Sequence, residues 1–365
     1  MKLSTLLLSS AAVLVAGAAF AADLPAKKAA PAAAPTGCAA FGAGFFQIPG
    51  GDNCIKFSGR VTADQTFAST TSRTTSVDTF GSGFRLNTDV RSNTDAGVVR
   101  SFARIQGSAA GNMTVKYAYA QIGSLTAGYA DSAFISLNNP WGWQISTDDG
   151  KVTNLLSYTA SLGGTTSATV SVEDATNRTS TSMGASQVPD LVGAIKTKMG
   201  DNTLQLAAAT HQNHGSTSGD LQGYAFQAGV TMPVTKDTTF YAQAAYANAA
   251  LSYLGYTSLN TTYVTAASVV DATLTDVSAS ATGWSVYGAV SQNVGPGSLN
   301  LSGVYGDITT ISAADVKQSQ VELNYDYTGI KGVQIIPSVY VYNQDNGAGT
   351  THTTTTGFLR IERDF

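Results

Sequence analysis

The sequence predicts an all-β chain folded as a 16-stranded antiparallel transmembrane β-barrel. Three observations lead there. After residue 54 the chain alternates between large apolar residues and small or charged polar ones, which is the period of a strand with two unlike faces. The alternating segments come in an even number, and short turns take turns with longer loops between them, the pattern of a bacterial outer-membrane barrel. Charged residues make up only 12% of the chain and there are 37 glycines. That composition suits strands with one apolar and one small-polar face better than a cytosolic enzyme.

Residues 1–21 read as a secretory signal, with Lys2, an apolar run from Leu6 to Ala19 and a small-x-small site at Ala19-Phe20-Ala21. The alternative for this stretch is a permanent anchor helix. Residues 22–37 are a Pro/Ala-rich linker, expected to be extended. Residues 38–365 are the expected barrel. Cys38 and Cys54 are the only cysteines. Export to an oxidising compartment favours a disulfide between them over metal binding or a reactive thiol. No later stretch has the roughly 18 apolar residues of a membrane helix, so a membrane-spanning chain of this kind spans as a barrel.

The first strand runs from Cys54. Ile55, Phe57, Val61 and Phe67 share one face, while Lys56, Ser58, Arg60, Thr62 and Asp64 share the other. Phe84, Leu86, Thr88 and Val90 alternate with Arg85, Asn87, Asp89 and Arg91; beyond the turn 92–97, Arg100, Phe102, Arg104 and Gln106 share one parity. The same rhythm returns over 318–327 and in the last strand, where Arg360, Glu362 and Asp364 lie opposite Leu359, Ile361 and Phe365. The sixteen expected spans are 54–69, 80–91, 98–107, 112–122, 125–131, 151–161, 166–173, 188–198, 202–211, 221–232, 238–248, 281–293, 297–307, 315–327, 333–344 and 353–365. Pro337 belongs at a strand end or a bulge, because a closed barrel has no edge to hold it.

Residues 131–150, DSAFISLNNPWGWQISTDDG, have neither strand nor helix period. They are expected to fold inside the barrel as an internal constriction loop, with Trp141 and Trp143 anchoring it, the alternative being that they line a sugar path. The loop 249–280 is expected outside, as a surface for phage or antibody contact. His211, His214 and Asp220 are expected in a solvated loop.

Three stretches resemble the general porins of alphaproteobacteria: GCAAFGAGFFQIPGGDNCIKFSGRV, YAYAQIGSLTAGYADSAF and the terminal RIERDF, with VPDLVGAIKTK as a weaker fourth. The resemblance implies a homotrimer in the outer membrane and passive diffusion of small hydrophilic solutes and ions. It implies a third external loop folded into the lumen, which matches 131–150. It also implies that the terminal Phe365 is read by the barrel-assembly machinery. The expected surroundings are the lipid bilayer and lipopolysaccharide. The alternatives are a substrate-selective channel for sugars or anions, and a structural or adhesin barrel with a closed lumen.

The charges suggest where a pore would narrow. Arg60, Arg85, Arg91, Arg100 and Arg104 fall on the polar faces of three consecutive strands, and Asp131, Asp148 and Asp149 on the internal loop. Facing one another, they would set a transverse field that favours hydrophilic solutes. Neutralisation of some of these arginines by Asp64 and Asp89 is the alternative. No catalytic motif appears, no metal or cofactor is expected, and a net charge of −4 makes nucleic acid a poor partner.

Overall fold

A computed structural model of the chain describes residues 38–68, 78–109, 111, 113–135, 151–178, 186–215, 219–254, 282–309, 315–345 and 351–365. A two-residue strand, β1 (Phe46–Gln47), precedes β2 (Cys54–Ala68), β3 (Asp78–Thr94), β4 (Gly97–Ser108), β5 (Thr114–Ile122) and β6 (Leu125–Asp131). Then come β7 (Val152–Gly163), β8 (Thr166–Glu173), β9 (Asp190–Met199), β10 (Asn202–Gly215), β11 (Gly219–Pro233) and β12 (Thr238–Asn248). The last are β13 (Thr282–Val294), β14 (Gly297–Thr309), β15 (Asp315–Ile330), β16 (Val333–Asp345) and β17 (Thr351–Asp364).

From β2 onward each strand pairs antiparallel with the next. β17 pairs back onto β2, from Thr356↔Ala68 to Asp364↔Arg60. The sixteen expected strands are therefore all present and the sheet closes, which leaves no unpaired edge. Connections at one end are short, such as 123–124 and 200–201, and both ends of the barrel chain lie there too.

The two faces differ as the alternation requires. Val321 and Leu323 are 53% and 44% exposed, whereas Gln320 and Glu322 between them are 4% and 0% exposed. Phe57, Val61, Leu156, Val170, Leu206 and Phe226 are likewise exposed on the outside, an apolar band of the kind that acyl chains cover. The inside is polar, and part of it is bonded strand to strand. Asn300 donates to Asn324 at 2.8 Å, and Asn324 and Ser338 both donate to Glu322, at 3.1 and 2.8 Å.

The seam is closed by the last residue. Phe365 N–H donates to the Gly59 carbonyl at 3.1 Å and Gly59 N–H donates back at 2.8 Å. A Cβ at Gly59 would collide with the Phe365 ring, so glycine is what lets that ring lie against β2. Pro337 sits within β16 and pairs with Leu359 of β17. Towards β15 the ladder lapses there: Asn324 pairs with Ser338 and Tyr327 with Ile335, with no pairing between, and the register shifts between Tyr327 and Ile330. The missing N–H of proline is absorbed by that irregularity.

The disulfide joins Cys38 to Cys54 with Cα atoms 6.1 Å apart, within the ordinary range. It folds residues 38–53 back so that β1 pairs with Cys54 and Ile55 and Phe45 is buried.

Candidate functional site

The polar parities of β2, β3, β4, β5 and β17 meet on one stretch of inner wall. Register sets Arg60 opposite both Arg85 and Asp364, and Arg91 opposite Arg100. Arg104 lies opposite Asn87, one diagonal step from Arg85. Like charges directly opposite repel, and the wall answers with carboxylates. Arg60 donates to Asp364 at 2.6 and 2.9 Å and to Glu362 at 2.8 Å. Arg91 and Arg100 share Asp89, each with two bonds of 2.8–3.0 Å. Arg360 forms a bidentate pair with Asp64 at 2.6 and 2.8 Å.

The arginines thus sort into two groups. Asp89 neutralises part of the expected patch, while Asp64 is taken by Arg360, which belongs to the same wall. Arg85 has no hydrogen bond or ion pair among the described residues. It borders a cavity of about 190 Å³ with Arg60, Gln106, Thr114 and Arg360. Arg104 donates to Asn87 Oδ1 at 2.7 Å and lies 4.8 Å from the centre of the Tyr117 ring, with no carboxylate partner among the described residues. Among the described residues, Arg85 and Arg104 are the arginines of this wall that no carboxylate neutralises.

Beside them runs an aromatic strip. Phe102 packs 5.4 Å from Tyr119 and 6.1 Å from Tyr117. Tyr117 donates to Asp131 at 2.9 Å, so Asp131 borders this wall at the point where the next connection leaves it. Asp148, Asp149, Trp141 and Trp143 lie outside the described residues.

The opposite wall carries His211, expected in a solvated loop, and part of 249–280, expected outside the barrel. Just past Asp131 the chain turns inward. Ala133 N–H donates to Glu173 at 2.8 Å, Phe134 is buried, and by Ile135 the carbonyl accepts from Gln205 of β10 at 2.8 Å. The start of the expected internal loop is therefore inside the barrel. A second segment is inside with it. Residues 250–254, expected at the outer surface, bury Leu251, Tyr253 and Leu254 against Phe134 and the alanine-rich inner faces of β10, β11 and β12. Ala207, Ala209, Ala225, Ala245 and Ala247 leave a shallow apolar bed there, and burying these side chains in it drives the segment inward. The remainder, 255–281, lies outside the described residues.

A buried polar cluster locks the two segments. Asp174 caps the short helical turn Ala175–Asn177, accepting from Thr176 N–H at 2.9 Å and its hydroxyl at 2.6 Å. Those bonds hold the Asp174 carboxyl below its ordinary pKa. The turn delivers Arg178 into the barrel, where it is buried. Its guanidinium stacks 3.7 Å from the Tyr253 ring centre, with Asp190 at 3.8 Å and Glu173 at 4.0 Å. Tyr253 donates to Asp190 at 2.7 Å, and burial pushes its hydroxyl pKa up, which keeps it a donor. His211 Nδ1 donates to both Asp190 oxygens at 2.9 and 3.1 Å. His211 is thus a buried residue of β10 and not a solvated loop histidine, because β10 and β11 run on to leave only 216–218 between them. His214 and Asp220 face each other across that hairpin at 2.6 Å.

A closed sixteen-stranded sheet, apolar outside and charged within, with chain folded into its interior, defines a transmembrane barrel. The sequence profile of the porin subfamily matches residues 26–362, and the chain belongs to that family. Porin Omp2b of Brucella melitensis is 28% identical over 225 residues, covering 54% of this chain and 62% of that protein. The chain thus matches less than two thirds of the length of this curated relative. Among solved structures, the outer membrane channel DcaP of Acinetobacter baumannii superposes with a TM-score of 0.71 at 18% identity, covering 86% of this chain and 97% of that one. The trimer form of OmpT from Vibrio cholerae gives 0.61 at 9% identity, covering 86% and 100%. At these identities the solved structures bear on the fold alone.

Proposed function

We propose that this chain forms a water-filled channel in the bacterial outer membrane through which small hydrophilic solutes and ions diffuse passively. The observation that carries it is the inner wall of β2–β5 and β17, where charged side chains line the interior of a closed barrel. A barrel built only for structure gains nothing from Arg85 and Arg104 facing its interior with no carboxylate partner among the described residues, whereas a solute path gains a field. These two cations with Asp131, and with Asp148 and Asp149 of the internal loop, make the narrow part of the path. Arg60, Arg91 and Arg100 hold it in shape through their paired carboxylates.

On this reading residues 1–21 are removed on export and 22–37 form a linker at the periplasmic face. The short turns face the periplasm and the long loops the exterior, towards lipopolysaccharide. Three copies associate, as the porin resemblance implies, and Phe365 presents the signal for assembly. Catalysis and a bound cofactor have no part in it.

The reading is tested by swelling of liposomes that carry the refolded protein, with neutral polyols and sugars of increasing size. Rates should fall steadily with solute mass. Absence of swelling with the smallest polyol, from correctly folded protein, would overturn it.

A further inference from the structure

One recess of the inner wall carries both signs of charge on a single aromatic ring. The cavity, about 530 Å³, is lined by Phe102, Arg104, Tyr117, Tyr119 and Asp131, with Gln121, Thr126 and Ser157 among its other polar groups. Tyr117 joins the two charges. The Arg104 guanidinium lies 4.8 Å from its ring centre, and its hydroxyl donates to Asp131 at 2.9 Å. One tyrosine ring therefore separates a cation that has no carboxylate from an anion that has no cation among the described residues. In most of this wall the charges of opposite sign have collapsed onto each other, as at Arg60 with Asp364 and Arg360 with Asp64. Here they are held apart.

We infer that this recess is a weak binding site for small zwitterions, specifically free α-amino acids. A carboxylate suits the Arg104 fork, which can meet it with two parallel bonds, and an ammonium suits Asp131. Between them the ligand backbone crosses the Tyr117 ring, whose face tolerates a cation or a C–H. Neither a simple anion nor a simple cation satisfies both ends, and a neutral polyol satisfies neither with charge. The bordering Gln121, Thr126 and Ser157 offer hydrogen bonds to a polar side chain. A site in a diffusion path must be weak enough to release its ligand, and one carboxylate and one guanidinium, both open to water, meet that condition.

The inference rests on the channel reading above, and its test separates the two. Swelling of liposomes containing the full-length mature protein is compared for L-threonine and erythritol, which are close in mass. Threonine is expected to enter faster, by roughly threefold at low concentration, with the advantage fading as the site saturates. Arg104→Gln and Asp131→Asn should each bring the threonine-to-erythritol ratio to about one. Equal rates in the unaltered protein would overturn the inference and leave the channel standing, and so would a ratio that survives both substitutions. Failure of erythritol to enter at all would overturn the channel reading itself.

Discussion

Arg178→Leu is expected to cost about 3–5 kcal/mol of barrel stability, the usual penalty for removing one partner of a buried ion cluster. The guanidinium is enclosed with Glu173 and Asp190, and all three side chains are sealed from solvent. Leucine fills much of the volume but leaves two carboxylates without their cation in a low-dielectric setting. It also removes the surface on which Tyr253 stacks at 3.7 Å, so residues 250–254 should loosen from the inner wall. Urea titration of the refolded protein in detergent, read by the heat-sensitive gel shift, measures the loss. Neutralising the carboxylates as well, with Glu173→Gln and Asp190→Asn, should recover much of it, because the penalty belongs to the stranded charges. A single variant within 0.5 kcal/mol of the parent would contradict the lock.

The second large effect is on ion preference. Arg85→Glu combined with Arg104→Glu should turn a wall that favours anions into one that favours cations. In water a unit charge about 5 Å from an ion contributes roughly 0.8 kcal/mol, so reversing two charges changes an ion's energy by roughly 3 kcal/mol before screening. At 0.1 M salt the Debye length of about 10 Å leaves more than half of that, enough for at least a tenfold change in the cation-to-anion permeability ratio. The zero-current potential across a salt gradient should change sign. The corresponding change at Arg91 and Arg100 should act mainly through folding, since both are already spent on Asp89. An unchanged potential in the double variant would retire Arg85 and Arg104 as the selective charges.

The barrel was legible because a strand's two-residue period writes the inside and outside of a pore directly into the chain. Val321, Leu323 and their polar neighbours Gln320 and Glu322 needed no structure to be assigned to opposite faces. The arginines were legible for the same reason, as was the inward turn after Asp131, where alternation stops. Pairing was not. Whether Asp64 meets Arg60 or Arg360 depends on the register across the seam, which joins residues about 300 positions apart. Arg360 was on the right parity to be found, had the last strand been wrapped back beside the first. The buried lock had no local signal at all. Arg178, Asp190, His211 and Tyr253 lie on separate segments, and Tyr253 follows a strand end like any surface loop residue. Only the alanine-rich inner faces of β10 to β12 hinted that something had to cover them.

The closed, charge-lined barrel is expected to conduct. Single-channel recording of the refolded mature protein in a planar bilayer tests it most directly. Discrete stepwise current increments, with a zero-current potential on the anion side in a salt gradient, are the predicted result. A bilayer that takes up folded protein and stays silent would contradict the account and point instead to a barrel with a closed lumen.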